Sequence, residues 1–238
     1  MKSSPNRNYF RLIGILYLLV IICAGFSQGY VRASLVVPED AAATAASIRL
    51  HEDLFRLGLT SDMIAFVADA VIAVMLYHVF RPFGKMLAMA SAALRLVAHP
   101  AIGSINLVNH FMAYQILSGA AFLNVFEESK LAAMSLFFME AHRYGYLIAG
   151  AFFGVHLFLL GIQIYRSDVI PSLFAGLMLG AAAGYLLETF GNFALPGYEA
   201  GLALLVGITA ALGEVGLTLY LLIKGSKTII DQPTKTSV

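Results

Sequence analysis

The sequence predicts an all-α integral membrane protein, a six-helix bundle with a short extracytoplasmic helix between spans 1 and 2. Of its 238 residues, 60% are hydrophobic and only 12% are charged, and the mean hydropathy is +0.82. A soluble domain of this length needs more polar surface. The apolar residues also fall into six runs, each near the length of about 20 residues that crosses a hydrocarbon core of about 30 Å.

The six runs set the expected spans and leave one long connection. The spans lie at about residues 9–28, 59–80, 85–111, 144–165, 169–190 and 200–223. Residues 29–58 form an outer helical segment, in which Pro38, Glu39 and Asp40 precede an alanine-rich stretch as a helix start does. We expect residues 1–238 to form a single membrane domain, with a frayed polar tail at 224–238.

Basic residues in the short loops predict the orientation. If six helices alternate, Arg81, Lys85 and Arg166 lie on the same side as the basic residues near the chain ends. The positive-inside rule assigns this side to the cytoplasm. We therefore expect a multi-pass protein of the cell membrane with both termini cytoplasmic and an uncleaved N-terminal anchor.

The composition limits the classes of partner and cofactor that we expect for this protein. The net charge of +1 gives no broad basic field, so the expected partner is the lipid bilayer and not nucleic acid. The single cysteine, Cys23, allows no internal disulfide and no cysteine-based metal motif. No paired string such as H-E-x-x-H occurs, and the sequence implies no metal and no cofactor. It identifies no small-molecule ligand and leaves a homo-oligomer open.

Polar residues within the apolar runs are the candidate functional residues, because lipid offers them no hydrogen-bond partners. Since a helix turns by about 100° per residue, the polar residues of the third span share an arc of about 60°. This stripe must face protein or water. It contains Arg95, His99, Asn106 and His110.

Five residues form an expected polar cluster at the bilayer midplane. With a rise of about 1.5 Å per residue from the basic end of each span, Arg95, His156 and Glu214 lie about 15 Å deep, and Asp69 about 18 Å. His99 follows one helical turn further out. A charge at this depth is costly, so Arg95 needs an acidic partner, for which Glu214 and Asp69 are the candidates. We expect Glu214 to pair with Arg95, and Asp69 and His156 to complete the cluster.

A second, outer polar layer is expected about 28 to 34 Å from the basic end. Next to the midplane cluster, Pro100 removes one helical hydrogen bond and should kink the third span. The outer layer contains Asp62, Asn106, Glu188 and Asn192.

Several strings resemble one known family of membrane proteins. The most specific are FFGVHLFLLG at 152–161 and GEVGLTLYLLIKG at 213–225. Together with 11–26 and 53–82, they are similar to the bacterial membrane family catalogued as domain of unknown function 4386, over about residues 10–225. The resemblance implies a six-span integral protein of the bacterial inner membrane, and it brings no established activity.

Several functional classes remain open. The leading hypothesis is a non-catalytic membrane protein that uses the midplane cluster for structure or binds lipid or a partner. The alternative is a small transporter or a proton- or solute-conducting protein, because intramembrane ionisable groups often line such pathways. Two further classes are a metal-dependent enzyme using His99, His156, Glu214 and Asp69, and a haem protein with His99 and His156 as axial ligands.

Overall fold

The computed structural model describes residues 6–226, which form helices joined by short loops. We number the main helices of this part of the chain α1 to α7. All of them except α2 are long and apolar enough to cross a membrane, so the predicted all-α membrane bundle is confirmed. They are α1 Arg7–Leu35, α2 Ala41–Leu50, α3 Glu52–Phe83, α4 Lys85–Leu117, α5 Glu128–Ser167, α6 Ser172–Ala194 and α7 Glu199–Ile223.

Most of the spanning helices are longer than the apolar runs. The largest difference is in α5, which begins at Glu128 instead of near residue 144 and is 40 residues long. Hydropathy identifies the part of a helix that contacts lipid, whereas helical hydrogen bonding continues through the polar residues beyond it. Of the tail expected to be frayed, residues 227–238 lie outside the described residues.

The outer segment expected at 29–58 is divided between three helices. Its first residues extend α1, its last residues begin α3, and α2 lies between them. Asp40 caps α2, because its side chain accepts a hydrogen bond from the Ala43 backbone nitrogen at 2.8 Å. Ile48 is fully buried, and α2 packs against α5. The short helix therefore covers one end of the bundle.

Alternation of the spanning helices gives the bundle two ends. At the terminal end, the guanidinium of Arg7 donates hydrogen bonds to the carbonyl oxygens of Lys224 and Ile223, at 3.1 and 3.2 Å. These bonds join the start of α1 to the end of α7. The far end carries α2 and the loops that precede α5 and α7.

An apolar core closes the terminal half of the bundle. Its side chains come from every spanning helix and are almost completely buried. Ile13 of α1, Ile72 of α3, Leu160 of α5 and Leu217 of α7 are each at most 1% exposed. Any large internal space must therefore lie nearer the far end.

The helices α1 and α7 approach one another at the terminal end and diverge toward the far end. A Cβ on Gly14 would lie 3.0 Å from the Leu222 backbone nitrogen, so the missing side chain permits the close approach. The contact to α1 is made by the last part of α7, Gly216–Ile223. The first part, Glu199–Ala210, packs against α6 instead. This divergence leaves a gap on one side of the bundle.

Three spanning helices contain a π-helical segment, a wide turn that is rare in proteins and frequent at functional sites. The segment in α4 surrounds Pro100, where the sequence predicts a kink. The three segments carry Arg32, His99 and Glu214, which all face the interior sites described below. They are Gly25–Arg32 in α1, Val97–Gly103 in α4 and Ala211–Val215 in α7.

Candidate functional site

Arg95 of α4 is buried in the middle of the bundle, and three side chains hold its guanidinium group. It is 1% exposed. One terminal nitrogen forms an ion pair with Oδ1 of Asp69 on α3. The other lies 2.9 Å from the Tyr17 hydroxyl and 3.0 Å from Nε2 of His156. We call Arg95, Asp69, Tyr17 and His156 the Arg95 cluster.

The prediction that Arg95 pairs with Glu214 is wrong. The helix α4 packs against α3 and α5, whereas Glu214 lies on α7. The Oε1 atom of Glu214 instead accepts a hydrogen bond from the Tyr185 hydroxyl at 2.9 Å. Equal depth placed the two residues at one level, but contact depends on which helices are neighbours. Asp69, the other candidate, lies on an adjacent helix.

His156 is a hydrogen-bonded core residue. Arginine can only donate, so Nε2 of His156 accepts from Arg95, and Nδ1 carries the hydrogen that faces the Ser91 carbonyl oxygen at 2.9 Å. The Phe153 ring stands between His156 and His99, with ring centroids 5.6 and 4.7 Å away. Because both nitrogens of His156 are engaged, the geometry does not support the haem or metal hypotheses that used this residue.

A cavity of about 690 Å³ is lined by residues of all six spanning helices. The floor of the cavity lies at the level of the Arg95 cluster and is lined by Asp69, His99 and Glu214. Arg143 and Glu199 line its mouth at the far end and are exposed. The volume falls within the range of about 300 to 1,000 Å³ that small-molecule sites have.

Aromatic side chains surround the lower part of the cavity. Phe66, Tyr146, Phe153 and Tyr185 all line it. The His99 ring is stacked nearly parallel to Phe66, with ring centroids 6.0 Å apart, and the Tyr185 ring meets Phe153 edge-on at 5.1 Å. The cavity therefore presents aromatic faces close to its charged floor.

Small residues of α7 provide much of the space. Ala200, Ala203 and Gly207 line the cavity, and a Cβ added at Gly207 would meet no atom within 4 Å. These residues are exposed, and they lie where α1 and α7 diverge. This wall therefore opens sideways toward the bilayer as well as toward the far end.

The charges on the cavity wall do not balance. Arg95 is bonded to Asp69, and Nε of Arg143 is bonded 2.9 Å away to Glu140, which does not line the cavity. Within residues 6–226, no ion pair joins Glu188 or Glu214 to a cationic side chain. The wall as a whole carries the carboxylates of Asp69, Glu188, Glu199 and Glu214 and the guanidinium groups of Arg95 and Arg143.

A second buried polar cluster, the Arg32 cluster, joins α1, α3, α4 and α5. Arg32 donates hydrogen bonds to Asp62 Oδ2 at 2.5 Å and to the Ser27 hydroxyl at 2.7 Å, and the same nitrogen lies 3.4 Å from Nδ1 of His110. His142 completes the cluster, with its ring centroid 5.3 Å from that of His110. The sequence does not predict this cluster, because its hydropathy places Arg32 in an outer connection, whereas α1 continues past it to Leu35.

The Arg32 cluster also contains a set of metal-ligand types. Ligand atoms of Asp62, His110 and His142 lie within 4.8 Å of one another, and two histidines with one carboxylate suit zinc or non-haem iron. Nδ1 of His142 faces the Asn106 carbonyl oxygen at 3.2 Å, and its Nε2 has no hydrogen-bond partner among the described residues. However, Arg32 already supplies a positive charge to Asp62. The site fits a metal ion only if Arg32 moves away.

The expected outer polar layer is divided between these two sites. Asp62 and Asn106 belong to the surroundings of the Arg32 cluster, where Asn106 donates to the His142 carbonyl oxygen at 2.7 Å. Glu188 and Asn192 line the cavity, and Asn192 donates to the Glu188 backbone oxygen at 2.9 Å. The third-span stripe is divided in the same way, since His99 faces the cavity and His110 the Arg32 cluster.

The fold and these sites define a multi-pass α-helical membrane protein with an internal cavity that has a charged floor. The family described as "Domain of unknown function (DUF4386)" matches residues 12–225, and the chain belongs to this family, as the sequence predicts. An "Uncharacterized protein" of Archaeoglobus fulgidus is 30% identical over 161 residues, which are 68% of this chain and 79% of the relative. No solved structure matches the chain significantly. Neither the family nor the relative carries a named activity.

Proposed function

We propose that this protein binds an amphipathic small molecule, such as a single-chain lipid, in the cavity. The cavity itself carries the proposal, because its volume of about 690 Å³ combines apolar walls with a charged floor in the middle of the bundle. Ligand sites in proteins have this character, mostly apolar with a few polar groups that orient the ligand. The tail would contact the apolar wall, and the polar head would lie at the floor.

The gap between α1 and α7 supports entry from the bilayer. Ala203 and Gly207 present little side chain there, and Val20 and Ile21 of α1 form the opposite edge. An amphiphile that partitions into lipid can reach such an opening without crossing water. Its head would then move inward along a wall that becomes more polar.

The orientation in this proposal follows the positive-inside rule. Arg81, Lys85 and Arg166 lie at the terminal end, which we assign to the cytoplasm of the cell. The cavity mouth then faces the outside, and the gap opens to the outer leaflet. The ligand would therefore be extracytoplasmic or come from the outer half of the membrane.

Photolabelling in lipid nanodiscs tests the proposal. The probe is a dodecanol analogue with a diazirine on the alkyl chain, and the labelled peptides are mapped by mass spectrometry. We expect labelling to concentrate on the cavity-facing parts of α1 and α7, near Val20 and Ala203, and to be displaced by excess dodecanol. Labelling spread evenly over the lipid-facing helix surfaces, without displacement, would contradict the proposal.

A pair of variants on α7 provides the matched control. Gly207→Leu places a side chain into the cavity and should reduce the displaceable labelling strongly. Gly201→Leu is the control, because Gly201 also has no atom within 4 Å of an added Cβ but does not line the cavity. Its labelling should match that of the wild type. Equal labelling of both variants would mean that the probe binds elsewhere.

Transport is the second candidate, because the cavity reaches the middle of the bundle and ionisable groups form its floor. Transport would require a second opening toward the terminal end, where the apolar core closes the bundle. Movement of the same probe across the membrane of proteoliposomes distinguishes the two functions. Binding without protein-dependent movement supports a binding protein.

A further inference from the structure

The floor of the cavity has more negative than positive charge available to a ligand. The guanidinium of Arg95 is directed to Asp69, Tyr17 and His156, and these contacts use both of its terminal nitrogens. The Glu214 carboxylate has a tyrosine hydroxyl as its partner and, in the part of the chain that the structure describes, no cation. Nε of Arg95 also has no hydrogen-bond partner within residues 6–226, but the charge of Arg95 is already balanced by Asp69. An anionic head group would therefore meet a net negative charge at the floor.

Asp69 supplies a second, independent observation. It is 1% exposed and lines the cavity. Its Oδ1 is bonded to Arg95, while its Oδ2 has no hydrogen-bond partner in the described part of the chain. Nδ1 of His99 lies 3.7 Å from Oδ2. A buried carboxylate oxygen without a donor is unusual, and a ligand that donates hydrogen bonds would satisfy it.

Two further features at the floor favour a cation. Aromatic faces attract cations through the ring quadrupole, and such rings form the binding cages of organic ammonium groups. Tyr146, Phe153 and Tyr185 line the cavity at this level. Toward the mouth, Glu188 adds another carboxylate without a cationic partner among residues 6–226. Buried charges interact more strongly than charges at a surface, and Asp69 is 1% exposed, so the imbalance discriminates between ligands.

We infer that the head group bound at the floor is an organic ammonium ion, so that the ligand is a cationic amphiphile with an apolar tail. The ammonium group lies between Glu214 of α7 and Asp69 of α3, beside the Phe153 and Tyr185 rings. The tail extends along the small residues of α7 toward the gap. This inference rests on the proposed function and adds the charge of the ligand.

Competition against the photoactivatable dodecanol probe tests the charge. Dodecylamine, dodecanol and dodecanoate have the same tail, and each is added to the nanodiscs at a matched mole fraction of lipid. We expect dodecylamine to displace the probe at a mole fraction lower by about tenfold or more than dodecanol, the ratio that 1.4 kcal/mol gives. Dodecanoate should be the weakest competitor.

Glu214→Gln should remove the advantage of the amine and leave displacement by dodecanol unchanged. Glu127→Gln is the matched control, because Glu127 is an exposed acid at the far end that does not line the cavity. It should keep the preference for the amine. If Glu214→Gln does not fold, Glu188→Gln and the comparison of the three competitors on the wild type decide the question.

The outcomes separate this inference from the proposed function. If none of the three compounds displaces the probe, the cavity does not bind amphiphiles and the proposed function fails. If dodecanol and dodecylamine compete equally, or dodecanoate competes best, the cavity binds amphiphiles and the inferred positive charge is wrong. A preference for the amine that survives in both Glu214→Gln and Glu188→Gln would place the ammonium group elsewhere.

Discussion

The two oxygens of the Asp69 carboxylate have different surroundings: Oδ1 is paired with Arg95, and Oδ2 lies 3.7 Å from Nδ1 of His99 and has no hydrogen-bond partner within residues 6–226. One side chain thus belongs to both the buried ion pair and the cavity floor. The ion pair holds the carboxylate in place, since both residues are 1% exposed. The free oxygen is then available at a defined position to whatever enters the cavity.

The pairing of Arg95 with Asp69 predicts a strong energetic coupling. Removing one partner leaves the other charge buried and unpaired, which costs about 3 to 5 kcal/mol. Arg95→Ala and Asp69→Ala should each lower the free energy of unfolding in detergent by about this amount. The double variant should lose clearly less than the sum of the single losses.

The matched control for this cycle uses Glu214. Because Glu214 bonds to Tyr185 and not to Arg95, the Arg95 and Glu214 variants should combine more nearly additively than the Arg95 and Asp69 variants. Thermal or denaturant unfolding of all single and double variants provides the measurement. A larger coupling for Arg95 and Glu214 would show that the ion pair described here is not the dominant one.

We expect that removing the Arg32 side chain creates a metal site. Arg32→Ala leaves Asp62, His110 and His142 without the guanidinium that lies 2.5 Å from the Asp62 carboxylate. The variant should be less stable than the wild type, because Asp62 loses its buried partner. Micromolar zinc should restore part of the melting temperature of Arg32→Ala and have little effect on the wild type.

The double variant Arg32→Ala, His142→Ala distinguishes this site from nonspecific zinc binding, since it lacks one ligand. It should show no recovery with zinc. An equal response of the wild type and Arg32→Ala to zinc would mean that Arg32 does not compete with the metal.

The close approach of α1 and α7 predicts that two glycines of α1 differ in their tolerance of an added methyl group. Gly14→Ala puts a Cβ 3.0 Å from the Leu222 backbone nitrogen and should destabilise the protein by about 1 to 3 kcal/mol, as overpacking does. Gly25→Ala is the control, because a Cβ there meets nothing within 4 Å. It should leave the melting temperature nearly unchanged. Equal effects at the two positions would argue against the helix contact.

The proposed orientation predicts the location of three loops. Reporter fusions after Phe83 and after Asp168 should score as cytoplasmic, because these loops lie at the terminal end with the basic residues. A fusion near Pro196, in the loop before α7, should score as external. An external score after Asp168 would reverse the assignment of α5 and α6.

Hydropathy was sufficient to predict the six spanning helices, and a local pattern predicted the start of α2 after Asp40. The kink predicted at Pro100 stays a prediction, and Pro100 lies in the π-helical segment Val97–Gly103. Counting the rise along each span placed Asp69, Arg95 and Glu214 near one level. It could not assign contacts, because depth says nothing about the order of helices around the bundle. The short loop between α3 and α4 was the available signal, since consecutive elements are usually adjacent, and it favours Asp69.

The Arg32 cluster could not be predicted in the same way. Arg32 follows the polar stretch GFSQGY, which lowers the hydropathy and ends the predicted span before it. His142 belongs to the part of α5 that extends beyond the apolar run. As a charged residue within an apolar run, Asp62 needs a partner, but no spacing connects residues that lie 30 or more positions apart.

The π-helical segments have a consequence for comparing relatives of this chain. A π-helical turn closes i→i+5 hydrogen bonds and holds about one more residue than an α-helical turn, so removing one residue from such a segment would restore the regular helix and change which side chains the segment directs inward. In α7 such a deletion within Ala211–Val215 would turn Glu214 relative to the rest of the helix. A single-residue alignment gap at this place therefore marks a change in the cavity floor, although insertions and deletions inside a spanning helix are easily mistaken for alignment error.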